Sequence, residues 1–391
     1  MQKGSFLKTL HRLLPLTLAL LLTALPSCSL RSSENDGGDL ADNSETVALL
    51  SPDTPSDSGT SSSAAEPVSN LPADEPVPVQ TAEELPSVVP AGEVEGDADF
   101  YPDGIFIYGD SVYTQAYYSE TNSRYFAQTA LYYQQKFGTQ VSIVLAPLSS
   151  MVIHSDKLAS IIPDQRVMLN DMKALTDPAV NFVNTYDALA AHDREYLYFH
   201  TDHHWTQRGA YYAYEEFAKS VGLTPVSLED LNYVVRNDNY LGSMYEFTKD
   251  ERVKTFKDQV EAWYPTKSHS MLTVTPQGET INYDSSIVSV NNGYVTFIAG
   301  DNAYTEIYVP DNPQDMTCLV LKDSFGNAFV PFLVEHYGTI VVVDPRFTEE
   351  NIYDKYAWLN FRDIIFVNNI EAANSYVWSK LYMAAVGQYM P

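Results

Sequence analysis

The stretch His200-Thr201-Asp202-His203-His204-Trp205 gathers three of the chain's eight histidines and an acid within five positions, with an indole directly after them. An acid two residues ahead of a histidine suits a hydrolytic triad when one turn presents both to a third residue. The acid fixes the imidazole tautomer and aims the ring, and the ring then serves as base. A metal is the rival explanation. His200 and His204 are four apart, so on a helix they would share a face and could hold zinc with Asp202 or His203. Thr201-Asp202 reads better as a cap ahead of a helix beginning at Gln207, and no Glu follows His200 as in an HExxH zinc site. The reading therefore assigns no metal ligands and no cofactor.

A base needs a nucleophile, and two serines compete. Asp323-Ser324 follows the apolar run Cys318–Leu321 and precedes a helix carrying Gly326. Such a turn lifts the serine to a sheet edge, with its backbone N–H at a helix N-terminus where it can help hold an oxyanion. Gly109-Asp110-Ser111 spells the Gly-Asp-Ser block that opens many SGNH-type hydrolases, yet Val112 and Tyr113 follow it as in a hairpin rather than a helix. Ser324 is the preferred nucleophile and Ser111 the alternative. The remaining cysteine, Cys318, sits in an apolar run and reads as a buried, inert thiol.

The elements that must position these residues alternate between strand and helix. Short strands are expected around Gly109-Asp110, and a helix over 122–137 ended by Gly138. Val141–Leu145 is a continuous apolar run suited to a buried parallel strand, and 181–186 a weaker one. A helix over 207–221, a strand–helix–strand unit over 319–343, a strand at 363–367 and a last helix over 371–386 complete the pattern. Alternation of this kind implies a parallel sheet covered on both faces. Residues 231–315 break the rhythm with alternating segments such as 270–274 and 293–298, and read as an antiparallel, β-rich insertion that walls the site. Ligands of open α/β sheets sit beyond the carboxyl ends of the strands. Ser324, Arg346 and the Pro147–Ser150 turn, including Ser149, all fall on that edge.

The rest of the 391-residue chain is read from composition. Lys3, Lys8 and Arg12 precede the apolar run Leu13–Leu25, which is too short to span a bilayer comfortably. Leu25-Pro26-Ser27-Cys28 looks like a bacterial lipobox, with Cys28 as the lipidated residue and ordinary secretion as the alternative. Residues 29–99 hold sixteen acids against one base, Arg31, and no aromatic residue. So polar and self-repelling a segment cannot bury enough surface to fold, and it reads as a disordered tether. With a net charge of −28 for the whole chain, nucleic acid is not an expected partner. Residues 100–391 remain as one large α/β domain.

The block Tyr198–Tyr212, with Asp202-His203-His204-Trp205 and Lys322-Asp323-Ser324-Phe325, resembles the bacterial DHHW family. That family is similar to the alginate O-acetyltransferase J and X proteins. Ala146-Pro147, Leu241-Gly242-Ser243, Pro331-Phe332-Leu333 and Asp344-Pro345-Arg346 extend the resemblance. It implies an SGNH-hydrolase-like, flavodoxin-like domain in which Asp202 orients His204 and His204 activates Ser324. His203 takes a variable middle position. Arg346, Trp205 and Ser149 become candidates for contacting substrate or oxyanion. The resemblance further implies O-acetyl transfer to an extracellular or cell-wall polysaccharide, with a membrane-bound O-acyltransferase as donor; the lipobox-like segment ending at Cys28 separately implies a lipid anchor on the outer face of the cell membrane. Hydrolysis of such esters, or non-catalytic glycan binding by the same fold, stay open as alternatives.

Overall fold

The computed structural model describes residues 97–390, apart from 116, 153–161, 163–165 and 290–291. The signal segment, Cys28 and the tether up to residue 96 lie outside the described residues. Asp99, assigned to the tether by composition, instead belongs to a strand. It pairs with Ile107 in a small antiparallel sheet of β1 (Asp99–Phe100), β2 (Ile105–Tyr108) and β3 (Ser111–Thr114). Arg252 anchors Asp99 at 2.7 Å.

The main sheet has eight strands in the order β5-β4-β13-β11-β12-β10-β8-β9. β4 (Gln140–Ala146) and β5 (Val180–Phe182) form one end. A two-stranded ribbon of β6 (Asn232–Tyr240) and β7 (Asp258–Tyr264) stands apart from the sheet. β8 (Ser270–Val274), β9 (Thr280–Tyr283) and β10 (Tyr304–Tyr308) form the other end, and β11 (Thr317–Lys322), β12 (Thr339–Val343) and β13 (Asp363–Asn369) fill the middle. β5, β4, β13, β11 and β12 are mutually parallel, whereas β10, β8 and β9 add in antiparallel pairing. The sheet is therefore mixed. The antiparallel region expected over 231–315 is present but divided, because β8–β10 extend the sheet and only β6–β7 is separate. The strand expected at 293–298 is not formed. Tyr294–Thr296 is a 3-10 turn, fastened by the Ile287–Phe297 bridge.

Side-chain alternation explains why both faces are covered. In β11, Cys318 and Val320 enter one core while Leu319 and Leu321 enter the other. The first core contains residues of the helices Gln207–Ser220 and Gly326–Leu333, and the second those of Glu120–Phe137, Arg166–Leu175 and Tyr376–Ala384. Helix boundaries follow capping chemistry. Ser119 accepts from the Asn122 N–H, and Gly138 ends that helix with φ 67°, a conformation that costs glycine little. The last helix, expected as one, is two, because Asn374 closes Ile370–Ala373 before Tyr376–Ala384 begins. Since the middle strands are parallel, the turns after β4, β11, β12 and β13 share one sheet edge.

Candidate active site

Two segments 120 residues apart in the chain meet at that edge. The first is the connection 199–206. It is a tight loop of bends closed by a Tyr198–Trp205 bridge, not a helix, so the helical geometry on which a His200–His204 zinc pair depended is absent. The cap of the following helix is Thr206, not Thr201-Asp202. Its hydroxyl oxygen accepts from the Gly209 N–H at 3.2 Å and its O–H donates to the Tyr196 carbonyl at 2.7 Å. That leaves Asp202 free to turn toward His204. The second segment is the turn after β11, where Ser324 is partly exposed between buried Asp323 and Phe325.

His204 joins them. Its Nδ1 lies 2.6 Å from Asp202 Oδ1 and its Nε2 lies 2.7 Å from Ser324 Oγ. Asp202 Oδ1 also accepts from the His204 backbone N–H at 3.1 Å, while Oδ2 accepts from Tyr240 Oη at 3.0 Å and the Ser243 N–H at 2.9 Å. Burial alone would raise the Asp202 carboxyl. The charge and hydrogen bond of His204, with the Ser243 amide, hold it well below the usual carboxylate range. An ionised acid on Nδ1 keeps that nitrogen protonated and leaves Nε2 to accept the serine proton. This is the order of contacts that a base-activated hydroxyl requires.

Neighbouring residues fix the loop. Asp258, on the separate ribbon, accepts four donors: Tyr196 Oη at 2.5 Å, the His200 N–H at 2.8 Å, the Thr201 N–H at 2.7 Å and Thr201 Oγ1 at 2.5 Å. Thr201 Oγ1 in turn accepts from the Gly242 N–H at 2.9 Å. A Cβ on Gly242 would stand 2.3 Å from Asp202 Cβ and 2.6 Å from the Thr201 carbonyl oxygen, so the approach demands glycine. Sequence reading missed Asp258 and Tyr240, because their contacts cross 58 and 38 residues of chain. The Leu241-Gly242-Ser243 block was the available signal.

The turn that carries Ser324 is held from below. Asp323 accepts from the Phe325 N–H at 2.9 Å and, through its other oxygen, from the Asn369 N–H at 2.7 Å, which ties the end of β11 to the end of β13. Burial pushes the Asp323 carboxyl up to about 6. Gly326 lets the helix start close to Lys322, whose Cβ would lie 2.6 Å from an added methyl. Among the described residues the Ser324 N–H donates to no protein acceptor, so it is available to an oxyanion.

Several expected contacts take other roles. Trp205 is wholly buried and its indole N–H donates to the Phe325 carbonyl at 2.9 Å, so it supports the serine turn and does not face substrate. Arg346 is engaged by Asp344 at 2.6 Å and Asp301 at 2.7 Å, in a cluster completed by buried Lys322. Those carboxylates hold its Nε and Nη2, so it stands in a charge cluster. Ser149 opens a short helix, Ser149–Val152, after β4, on the expected edge but with no hydrogen bond to the serine or its base. Ser111 is buried at the start of β3, and no hydrogen bond links it to a histidine among the described residues. His203 packs its ring 3.8 Å from that of His204, with Nδ1 3.0 Å from Ser243 Oγ. Burial and the adjacent His204 push it down to about 4. Asp202, His203 and His204 bring ligand atoms within 4.8 Å of one another. Both nitrogens of His204 and one of His203 already have protein partners, so this set fits a hydrogen-bonded network better than a metal.

A family model described as "DHHW protein" matches residues 95–343. The chain belongs to the DHHW family. A DHHW family protein from Eubacterium siraeum superposes with a TM-score of 0.68 at 22% identity, over 76% of this chain and 99% of that one. PatB1 from Bacillus cereus, solved with a sulfonyl adduct, gives 0.61 at 17% identity over 73% of this chain and 99% of that one. The O-acetyltransferase domain of Pseudomonas putida AlgJ gives 0.38 at 14% identity, over 73% of this chain and 98% of that one, too remote to inform the site. No curated protein matches the sequence. At these identities the likeness to solved structures is one of fold.

Proposed function

We propose that this DHHW protein is a serine-dependent acyl-transfer enzyme, an O-acetyltransferase of an extracellular or cell-wall polysaccharide. The observation that carries the reading is His204 standing between Asp202 at 2.6 Å and Ser324 at 2.7 Å. Ser324 Oγ attacks the carbonyl carbon of the donor ester while its proton passes to His204 Nε2. The tetrahedral oxyanion is met by the Ser324 N–H. Collapse breaks the bond to the donor alcohol, which leaves with the proton from His204, and an acetyl-serine remains. A sugar hydroxyl then gives its proton to His204 and attacks, and the same collapse returns Ser324. Water in place of the sugar would make the protein an esterase.

The polysaccharide acceptor and the membrane-bound O-acyltransferase donor rest on the family resemblance. We place the enzyme on the outer face of the membrane, tethered through Cys28. Labelling with a palmitate analogue tests this: incorporation lost in Cys28→Ala supports the anchor, and incorporation retained in that variant removes it.

The catalytic reading is tested with an aryl acetate. Acetate release, and an acetyl group on the peptide containing Ser324 by mass spectrometry, are expected in the native protein. Both should be absent in Ser324→Ala and reduced at least about 1,000-fold in His204→Ala, with Ser111→Ala unaffected. An adduct elsewhere, or none on folded protein, rejects the assignment. Offering oligosaccharides to the acetylated enzyme separates transfer from hydrolysis.

A further inference from the structure

Tyr294 was not singled out by the sequence, and it touches both halves of the site. Its ring lies parallel to the imidazole of His204, with centroids 3.9 Å apart and 9° between the planes. Its hydroxyl donates to the carbonyl oxygens of Ser324, at 3.0 Å, and Phe325, at 3.3 Å. One rigid side chain thus covers a face of the base and grips the peptide that carries the nucleophile. The tyrosine is itself immobilised. Phe199 and Phe297 meet its ring edge-on at 6.1 and 5.5 Å, and its 3-10 turn is fastened by the Val288 N–H to the Thr296 carbonyl at 2.8 Å and the Ile298 N–H to the Ser286 carbonyl at 2.8 Å. His203 packs 3.8 Å from His204 without meeting Tyr294, so the two rings flank the base from different sides.

We propose that Tyr294 is a positioning residue that fastens base to nucleophile, its ring stacked on His204 and its hydroxyl on the Ser324 and Phe325 carbonyls. The inference rests on the acyl-transfer reading and deepens it. A packing role alone would be met by phenylalanine, which fills the same volume. The hydroxyl is spent instead on the two carbonyls flanking the serine's own peptide link to Phe325. When Ser324 gives up its proton, His204 becomes a cation enclosed by protein. Asp202 compensates it at the ring edge, and the electron-rich face of an aromatic ring compensates it from one side. The other titratable and charged groups around the base are His203 on its second side, Tyr240 acting through Asp202, Asp323 beside Ser324, and the Arg346–Asp301 pair that influences His203. All of these are unchanged when only Tyr294 is altered.

The experiment uses the full chain with Tyr294→Phe and Tyr294→Leu. The readouts are KM and kcat separately for an aryl acetate, and the nitrogen-15 NMR chemical shifts of the His204 ring, which need no substrate. Tyr294→Phe keeps the stack and loses the hydroxyl. Its kcat should fall about 3- to 10-fold, with the His204 ring shifts in place. Tyr294→Leu loses both. The His204 ring shifts should move as the stacked face is lost, with a larger fall in kcat and little change in KM. The proposal is overturned if the leucine variant leaves the His204 ring shifts where they stand in the native protein, or if the phenylalanine variant keeps full kcat. Should the leucine variant fail to fold, Tyr294→Met supplies a flexible apolar replacement and the phenylalanine arm still decides the hydroxyl's role. Failure of the acyl-transfer reading looks different: the native protein would form no acetyl-serine, while the His204 ring shifts would still report on the stack.

Discussion

Asp202 concentrates the demands on the site, since its two oxygens serve His204, Tyr240 and Ser243 together. Asp202→Asn keeps the shape and places an amide where an ionised acid fixes the tautomer. It should cut kcat by about 1,000- to 10,000-fold while KM and the fold persist, which steady-state kinetics and circular dichroism check. Arg346 predicts the opposite pattern. Arg346→Met removes the cation between Asp344 and Asp301 and should cost about 3 kcal/mol in urea unfolding, with activity per folded molecule within a few-fold of native. His204, Asp202 and Ser324 were legible in the sequence because an acid-x-histidine spacing and a Ser after an apolar strand carry chemistry locally. Trp205 and Arg346 were ambiguous because their types suit substrate contact as well as support. Only burial and partners, which sequence does not carry, separate the two uses.

At the scale of elements, the base loop depends on a ribbon it does not belong to. β6 and β7 deliver Tyr240 and Asp258, and the link between them delivers Gly242 and Ser243. Gly242→Ala should lower kcat at least about 100-fold, since the new methyl displaces the Asp202 side chain. Measuring kcat beside the melting temperature tests this, because a normal rate would show that the close approach is dispensable. Asp258→Asn should weaken the grip on the 200–201 amides, visible as faster hydrogen exchange there. The strand–helix alternation of the parallel part was readable because apolar runs of five to seven residues declare themselves. The division of the antiparallel part was not, because a strand joining the main sheet and one in a separate ribbon show the same period of two. Tyr294 lay in such a run, Gly293–Ile298, yet it forms a turn.

For the whole molecule, acids held in hydrogen-bond and charge networks set how stability responds to pH. Asp202 and Asp301 have carboxyls held below their ordinary range, the first by His204 and the second by Lys322 and Arg346, against the upward push of burial. Stability from these groups is present above the unfolded carboxylate value of about 4 and is lost as pH falls below it. Asp323 runs the other way. With its folded value raised to about 6, its contribution is full below about 4 and is lost as pH rises through about 6. Urea midpoints measured between pH 3 and pH 8 should therefore fall on the acid side, and Asp301→Asn should flatten that fall. An unchanged acid slope would remove Asp301 as a contributor.

The strand order has a consequence for biogenesis. β11, which ends two residues before Ser324, lies between β12 and β13, and both are made after it. A chain emerging from the ribosome or a translocon exposes the histidine loop 120 residues before the serine. It cannot seat that serine until β13 is available on the far side. The Asp202–His204–Ser324 contacts then form together, with closure of the last parallel pairings, and incomplete chains lack that arrangement.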